Sequence, residues 1–227
     1  MRRGPPAAGA GDSMTGMRLI IFGAGGLLGS RLVTEALARD HEITAVSRDA
    51  SRLDDRGGRV RTASADATDP GSVATAARGH DVAISAVTQH DAPEILVDAA
   101  RGLLEGLAAA AVPRLISVGG AGSLEVAPGQ RLVDTPDFHE EWKPEALAAS
   151  GALEVFRAAD TPVDWTFVSP GALLAPGERT GRYRLGLDTL LVDEHGDSHI
   201  SMEDFAVAIL DEVEEPRHPR QRFTAAY

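Results

Sequence analysis

The sequence predicts an α/β fold built on a doubly wound parallel sheet, followed by a small C-terminal lobe over about residues 172–200. Three observations carry that expectation. Short apolar runs alternate with segments of helical period from Met17 to Val118, and such alternation yields a parallel sheet with helices on both faces. A glycine cluster follows the first apolar run directly. Beyond Pro176 the alternation gives way to short, turn-rich segments, the pattern of small strands or a hairpin.

The elements follow in order. Met17 to Phe22 is nearly all apolar and ends in glycine, as a strand buried on both faces should. Leu27 to Arg39 carries Leu28, Leu32 and Ala36 at helical spacing. Glu42 to Val46 and Arg59 to Ala63 read as the second and third strands, the latter more polar. Asp69-Pro70-Gly71-Ser72 opens a helix through Ala77, Asp capping it and Pro in its first turn. Asp81 to Val87 is the fourth strand, Glu94 to Ala111 an Ala- and Leu-rich helix stopped by Pro113, and Arg114 to Val118 the fifth strand. Glu145 to Asp160 reads as a helix and Asp164 to Val168 as a sixth strand. Arg182 to Leu187, Thr189 to Asp193 and Ser198 to Ile200 suggest short strands or a hairpin around His195-Gly196-Asp197. Ser201 to Asp204 has capping-box spacing for a helix through Val213, and Arg222 to Ala226 reads as a last strand.

A chain of 227 residues suits one domain with a modest extra lobe. Residues 1–16 read as a disordered leader and 17–227 as the folded unit, with Met1, Met14 or Met17 as the start. The formal net charge of -12 argues against nucleic acid or an anionic membrane as partner. With no cysteine, thiolate chemistry and cysteine-held metals are excluded. No apolar run is long enough to span a bilayer. A cytoplasmic protein, monomer or homodimer, acting on a small molecule is the expectation. His195, Asp197 and His199 are spaced for one strand face, but they flank a glycine turn, so no metal site is expected.

Gly23-Ala24-Gly25-Gly26-Leu27-Leu28-Gly29 stands at the first strand-to-helix junction. Glycines there permit a tight turn and let backbone N–H groups and the helix N-terminus approach a pyrophosphate. Leu28 breaks the G-x-G-x-x-G spacing; Gly23, Gly26 and Gly29 satisfy G-x-x-G-x-x-G. The expected fold is therefore Rossmann-type, with Gly23, Gly25, Gly26, Leu27, Leu28 and Gly29 at a dinucleotide. The second strand ends Val46-Ser47-Arg48, where an acidic residue would select NAD(H) and an arginine accommodates a 2′-phosphate. Ser47 and Arg48 thus favour NADP(H) over NAD(H).

GAGGLLG, AVSRD, SADATDP and DVAISAV together resemble the atypical short-chain dehydrogenase/reductase superfamily. SVGGAGSL at Ser117 to Leu124 and VDWTFVSPGALLAPGERTGRY at Val163 to Tyr183 resemble its NAD(P)H-binding, NmrA-like and NADH-flavin reductase-like group. The resemblance implies adenine contacts at Asp66 and Ala67. It implies a wall beside the nicotinamide at Ser85, Ala86 and Val87, with Ser117, Val118, Gly119, Ser169, Pro170 and Gly171 lining the reactive end.

The superfamily's Ser-Tyr-Lys set is missing. The single lysine, Lys143, has His139 four residues before it, and Gly119-Gly120 stand where the serine would fall. In one reading His139 is the acid/base, Lys143 holds the nicotinamide ribose and Ser117 assists; in the other they are loop, helix-entry and strand residues. Phe138, Trp142, Trp165 and Phe167 are candidates for a flat-ring pocket, though Trp165 and Phe167 share a strand face as core residues do. The favoured function is hydride transfer from NAD(P)H to a flavin, quinone or related conjugated small molecule, which asks little of a proton donor. Two others stand beside it: an NADP(H)-using epimerase, dehydratase or carbonyl reductase relying on His139, and a non-catalytic NmrA-like dinucleotide sensor.

Overall fold

A computed structural model describes residues 16–89 and 91–227. The leader expected over residues 1–16 lies, apart from Gly16, outside the described residues. The first strand, β1 (Arg18–Phe22), shows why the sheet is central. Leu19, Ile20, Ile21 and Phe22 are all essentially inaccessible, with Leu19 and Ile21 entering one core cluster and Ile20 and Phe22 the other. Period-two alternation of a wholly apolar run fills two layers at once.

In chain order, α1 (Leu27–Ala38), β2 (Glu42–Ser47), β3 (Val60–Ser64), α2 (Pro70–Ala77), β4 (Val82–Ser85), α3 (Ile95–Ala109) and β5 (Arg114–Val118) follow. Two short strands, β6 (Glu125–Ala127) and β7 (Gln130–Arg131), form a small antiparallel ribbon before α4 (Lys143–Ala158). Then come β8 (Asp164–Pro170), β9 (Leu173–Ala175), β10 (Arg184–Gly186), β11 (His199–Ser201), α5 (Met202–Glu214) and β12 (Gln221–Ala226). The main sheet has eight strands in the order β10-β12-β8-β5-β4-β1-β2-β3, parallel except where β10 runs against β12. Helices α1 and α5 cover one face; α2, α3 and α4 cover the other. This is the expected Rossmann-type, doubly wound arrangement. Strand order reverses between β1 and β4, and crevices at such switch points are where open α/β sheets bind ligands.

The C-terminal region departs from the expectation in its pairing. Arg182 to Leu187 and Ser198 to Ile200 do not form a hairpin with each other. Arg184–Gly186 adds to the main sheet beside β12, and His199–Ser201 pairs in parallel with Leu173–Ala175 in a separate ribbon. Thr189 to Asp193 is not a strand; it makes one isolated bridge, Glu125 to Thr189. The His195 turn closes on itself, because Asp193 Oδ1 accepts from the His195 and Asp197 N–H groups at 2.8 and 3.0 Å. Helix α5 opens as half a capping box. Ser201 Oγ accepts from the Asp204 N–H at 3.0 Å. The Asp204 carboxylate turns instead to the Thr180 and Gly181 N–H groups and the Tyr227 hydroxyl.

Candidate functional site

A cleft of about 720 Å³ opens over the carboxyl ends of β1, β2, β3 and β4. Its wall is built by the glycine turn. Gly23 has φ +76°, and a Cβ there would lie 2.5 Å from the Ala86 carbonyl oxygen, so only glycine lets the chain leave β1 against the end of β4. Gly29 lets α1 approach that turn: a Cβ would lie 2.1 Å from the Gly23 oxygen. Among the described residues no side chain caps α1, whose N-cap is Gly26, and its first turn carries no acid. The free N–H groups and positive end of that helix therefore face the cleft, the arrangement that holds a pyrophosphate.

At the far side of the cleft, β2 hands over to a 3₁₀ turn at Ala50–Arg52 that fixes the loop by its own polar groups. Ser47 Oγ donates to the Asp49 carbonyl at 2.7 Å, and the Ala50 N–H donates to Ser64 Oγ at 3.1 Å. Asp49 Oδ1 accepts from the Ser51 hydroxyl at 2.6 Å and the Ser51 N–H at 3.1 Å. Those two bonds hold the Asp49 carboxyl below its ordinary range. Hydrogen bonds from Thr68 N and Oγ1, at 2.9 and 2.8 Å, do the same for Asp66. Arg48 lines the cleft and contributes to that effect on Asp66 through its charge.

Of the residues singled out in the sequence, Gly23, Gly25, Gly26, Ser47, Arg48, Asp66, Ala67, Ala86 and Val87 line this cleft. Leu27, Leu28 and Gly29 form the first turn of α1, Leu27 exposed and the other two buried. Ser85, Ser117, Val118 and Gly119 end β4 and β5, and Ser169, Pro170 and Gly171 end β8, the next strands along from the cleft. The cleft also takes in Thr68, Thr88, Gln89 and Ile95, which sequence reasoning did not single out. Their signal was position alone, in the segments that follow β3 and β4.

The catalytic candidates do not meet. His139 is exposed, its ring 4.4 Å from that of Trp142, which is itself 52% exposed. Lys143 pairs with Glu140 one turn away. Ser117 is buried on β5, on the sheet face that α4 covers. Gly119 packs directly on the ring of Phe167. Of the flat-ring candidates, Trp165 and Phe167 are core residues clustered with Phe156, at centroid distances of 5.6 and 5.9 Å.

A glycine cradle, an uncapped helix end and a cleft at the switch point are the parts of a dinucleotide site, and sequence comparison supplies the family. The chain belongs to the NAD(P)H-binding family. The match runs over residues 23–216. The uncharacterised protein YwnB of Bacillus subtilis (strain 168) is 39% identical over 212 residues, covering 92% of this chain and 97% of YwnB. A candidate exported protein from Burkholderia pseudomallei is 45% identical, covers 93% of this chain and all of its own, and superposes with TM-score 0.84. A candidate NADH-flavin reductase from Streptococcus pneumoniae TIGR4 is 33% identical, with TM-score 0.80 over 93% of this chain and 99% of its own. A candidate epimerase from Bacteroides thetaiotaomicron is 38% identical, with TM-score 0.86 over 93% and 97%. The cofactor of this family member is a nicotinamide dinucleotide. Among the described residues no helix is long and apolar enough to cross a membrane, and no cluster of His, Asp or Glu could hold a metal.

Proposed function

We propose that this chain is an NADPH-dependent oxidoreductase that passes hydride to a flavin, quinone or related conjugated small molecule. One contrast carries the reading: a dinucleotide cradle stands beside a reactive end where, among the described residues, the candidate proton-transfer groups do not assemble. When bound, the reduced nicotinamide supplies a hydride, two electrons and one proton in all, and solvent supplies the second proton that completes the reduced acceptor. The chain's own work is then placement. The α1 N-terminus holds the pyrophosphate, Ala86 and Val87 wall the nicotinamide half, and the ends of β5 and β8 receive the acceptor.

The preference for the phosphorylated dinucleotide rests on the loop after β2. Asp49, the acid that would repel a 2′-phosphate, has its Oδ1 turned to Ser51. Arg48 lines the cleft one residue earlier, with a guanidinium suited to a phosphate. The similarity to a candidate NADH-flavin reductase supports the acceptor class.

An epimerase or carbonyl-reductase reading needs His139 as the acid/base, and it draws support from the similarity to a candidate epimerase. Against it stand the exposure of His139 on Trp142 and the ion pair that occupies Lys143. The deciding experiment is stopped-flow oxidation of NADPH and NADH with FMN, riboflavin and a simple quinone as acceptors. Fast NADPH consumption is the expected result. Tight NADPH binding without turnover on any acceptor would sink the proposal and leave the specialised enzyme and the sensor, to be separated by a wider substrate screen. His139→Ala should change the reductase rate less than about threefold, whereas an acid/base role predicts a loss of about 10²-fold or more.

A further inference from the structure

Two hydroxyls at the reactive end have nothing to bond. Ser169, near the end of β8, and Thr224, on β12, are both fully buried, and among the described residues neither Oγ of Ser169 nor Oγ1 of Thr224 finds a hydrogen-bond partner. They are register partners on adjacent parallel strands, so they stand side by side on one sheet face, about 4.8 Å apart as strands lie. That face is the one Trp165 and Phe167 fill lower down, under α4. At its carboxyl edge no aromatic or aliphatic side chain of β8 continues the pattern; a buried hydroxyl replaces it. Orphaned polar groups are rare in folded proteins and lower stability. Two as neighbours, next to the segment that lines the reactive end, are more than a packing accident.

Beside Thr224 lies a short irregular segment. A Cβ on Gly186 would lie 3.1 Å from both Leu191 Cδ2 and Thr224 Cγ2, so both side chains crowd the space over that glycine. Residues 187–192 carry no regular strand, and Leu187 and Val192 are 51% and 44% exposed. The segment is tied down mainly through Asp188, which pairs with Arg222 from β12 and with Arg157 from α4. Backbone bonds with Glu125 add to this, Glu125 N–H to the Asp188 carbonyl at 2.8 Å and Leu190 N–H to the Glu125 carbonyl at 2.9 Å.

We infer that Ser169 and Thr224 form the hydrogen-bonding floor of the acceptor subsite, uncovered when residues 189–192 swing aside while Asp188 keeps its ion pairs, and that they donate to carbonyl oxygens of an uncharged conjugated ring. The inference rests on the reductase reading and narrows it. Hydroxyls can donate to a carbonyl without a counter-charge. The nearby cation, Arg222, is already committed to Asp188 and Ser123, so the floor offers no free charge to an anionic group. A quinone, or the carbonyl edge of a flavin ring, has the matching chemistry.

The test uses Ser169→Ala, Thr224→Val and the hydroxyl-retaining Thr224→Ser, each assayed with NADPH and menadione, with NADPH affinity and thermal midpoint measured alongside. Ser169→Ala and Thr224→Val should raise the KM for menadione about tenfold, the scale of one lost hydrogen bond. They should leave kcat within about twofold and NADPH affinity unchanged, and the thermal midpoint should hold or rise because an orphan is removed. Thr224→Ser should keep the wild-type KM. A raised midpoint with unchanged KM in both variants overturns the subsite and leaves strained packing. Failure of the wild type to turn over any acceptor is a separate result, seen before any variant is made; it refutes the reductase reading and the subsite with it.

Discussion

The ring of Phe167 occupies the space that a side chain at Gly119 would need. A Cβ at Gly119 would lie 2.0 Å from both Cε1 and Cζ of that ring. Phe167 is 1% exposed and packed on Phe156, so it has nowhere to retreat. Of the two glycines that stand where the serine of the superfamily it resembles would fall, Gly119 is thus closed to a side chain by packing. Gly119→Ser should lower stability by about 1–3 kcal/mol, the usual range for overpacking a filled core, without creating carbonyl-reductase activity. Urea unfolding checks the first part; an unchanged midpoint would show that the ring yields.

The same pair shows what a sequence can and cannot disclose. Strands β1, β2, β4 and β5 were legible because each is a short, mostly apolar run whose burial needs no distant information, and the more polar β3 by its place in the alternation. The glycine turn was legible because its spacing and its place after β1 coincide. That Phe167 and Trp165 share a face was also legible from period two. That Phe167 opposes Gly119 was not, since it depends on β5 lying beside β8, with Val118 opposite Val168. The C-terminal lobe failed for the same reason. Residues around 184 and 199 looked like partners by proximity in the chain, yet each pairs with a strand remote in sequence, β12 and β9. The orphaned Ser169 and Thr224 were invisible, because a hydroxyl in a strand gives no sign of whether it will find a partner.

Arg48 provides the test of cofactor choice. It is exposed at the cleft, and no shift of fold is expected on truncating it. Arg48→Ala should weaken NADPH binding about 10–100-fold, the scale of a lost charge-assisted bond, and alter NADH binding less than about threefold. Fluorescence titration of both dinucleotides reads this directly. Equal losses for the two would mean that Arg48 does not meet the 2′-phosphate.

Two glycines of one motif should fail in different ways. Gly25 is exposed, and a Cβ there would meet only Leu53 Cδ2, at 3.3 Å. Gly25→Ala should therefore fold normally while blocking close approach of the pyrophosphate, weakening either dinucleotide about tenfold or more. Gly29 is buried, and its Cβ would collide with backbone, 2.1 Å from the Gly23 oxygen and 2.8 Å from the Ala24 Cα. Gly29→Ala must push α1 off β1 and should cost stability before it costs binding. Thermal midpoints and dinucleotide affinities of the two variants, compared side by side, separate the roles; equal midpoints would refute the distinction.

Glu35 ties the C-terminal lobe to the helix that carries the cradle. Its side chain is 6% exposed on α1 and accepts from Arg179 Nε and Nη2 at 2.7 and 2.8 Å and from Arg39 Nε at 2.9 Å. The Arg179 bonds foremost, with Arg39 beside them and against the cost of burial, hold the Glu35 carboxyl below its ordinary value of 4.5. A carboxyl whose folded value is depressed contributes stability that is fully present above the unfolded value and is lost as pH falls through the folded one. Glu35→Gln should destabilise by about 1–3 kcal/mol at pH 7, where Arg179 loses its carboxylate and Arg39 keeps only Asp211 and Glu214. Below about pH 4.5 the gap between wild type and variant should narrow, because acid removes from the wild type what the substitution has already removed. Other carboxylates titrate in both proteins and cancel in the difference. Urea midpoints of the two proteins from pH 7 down to pH 3 decide the matter: a gap that stays constant would mean that Glu35 holds the lobe by packing and not by its charge.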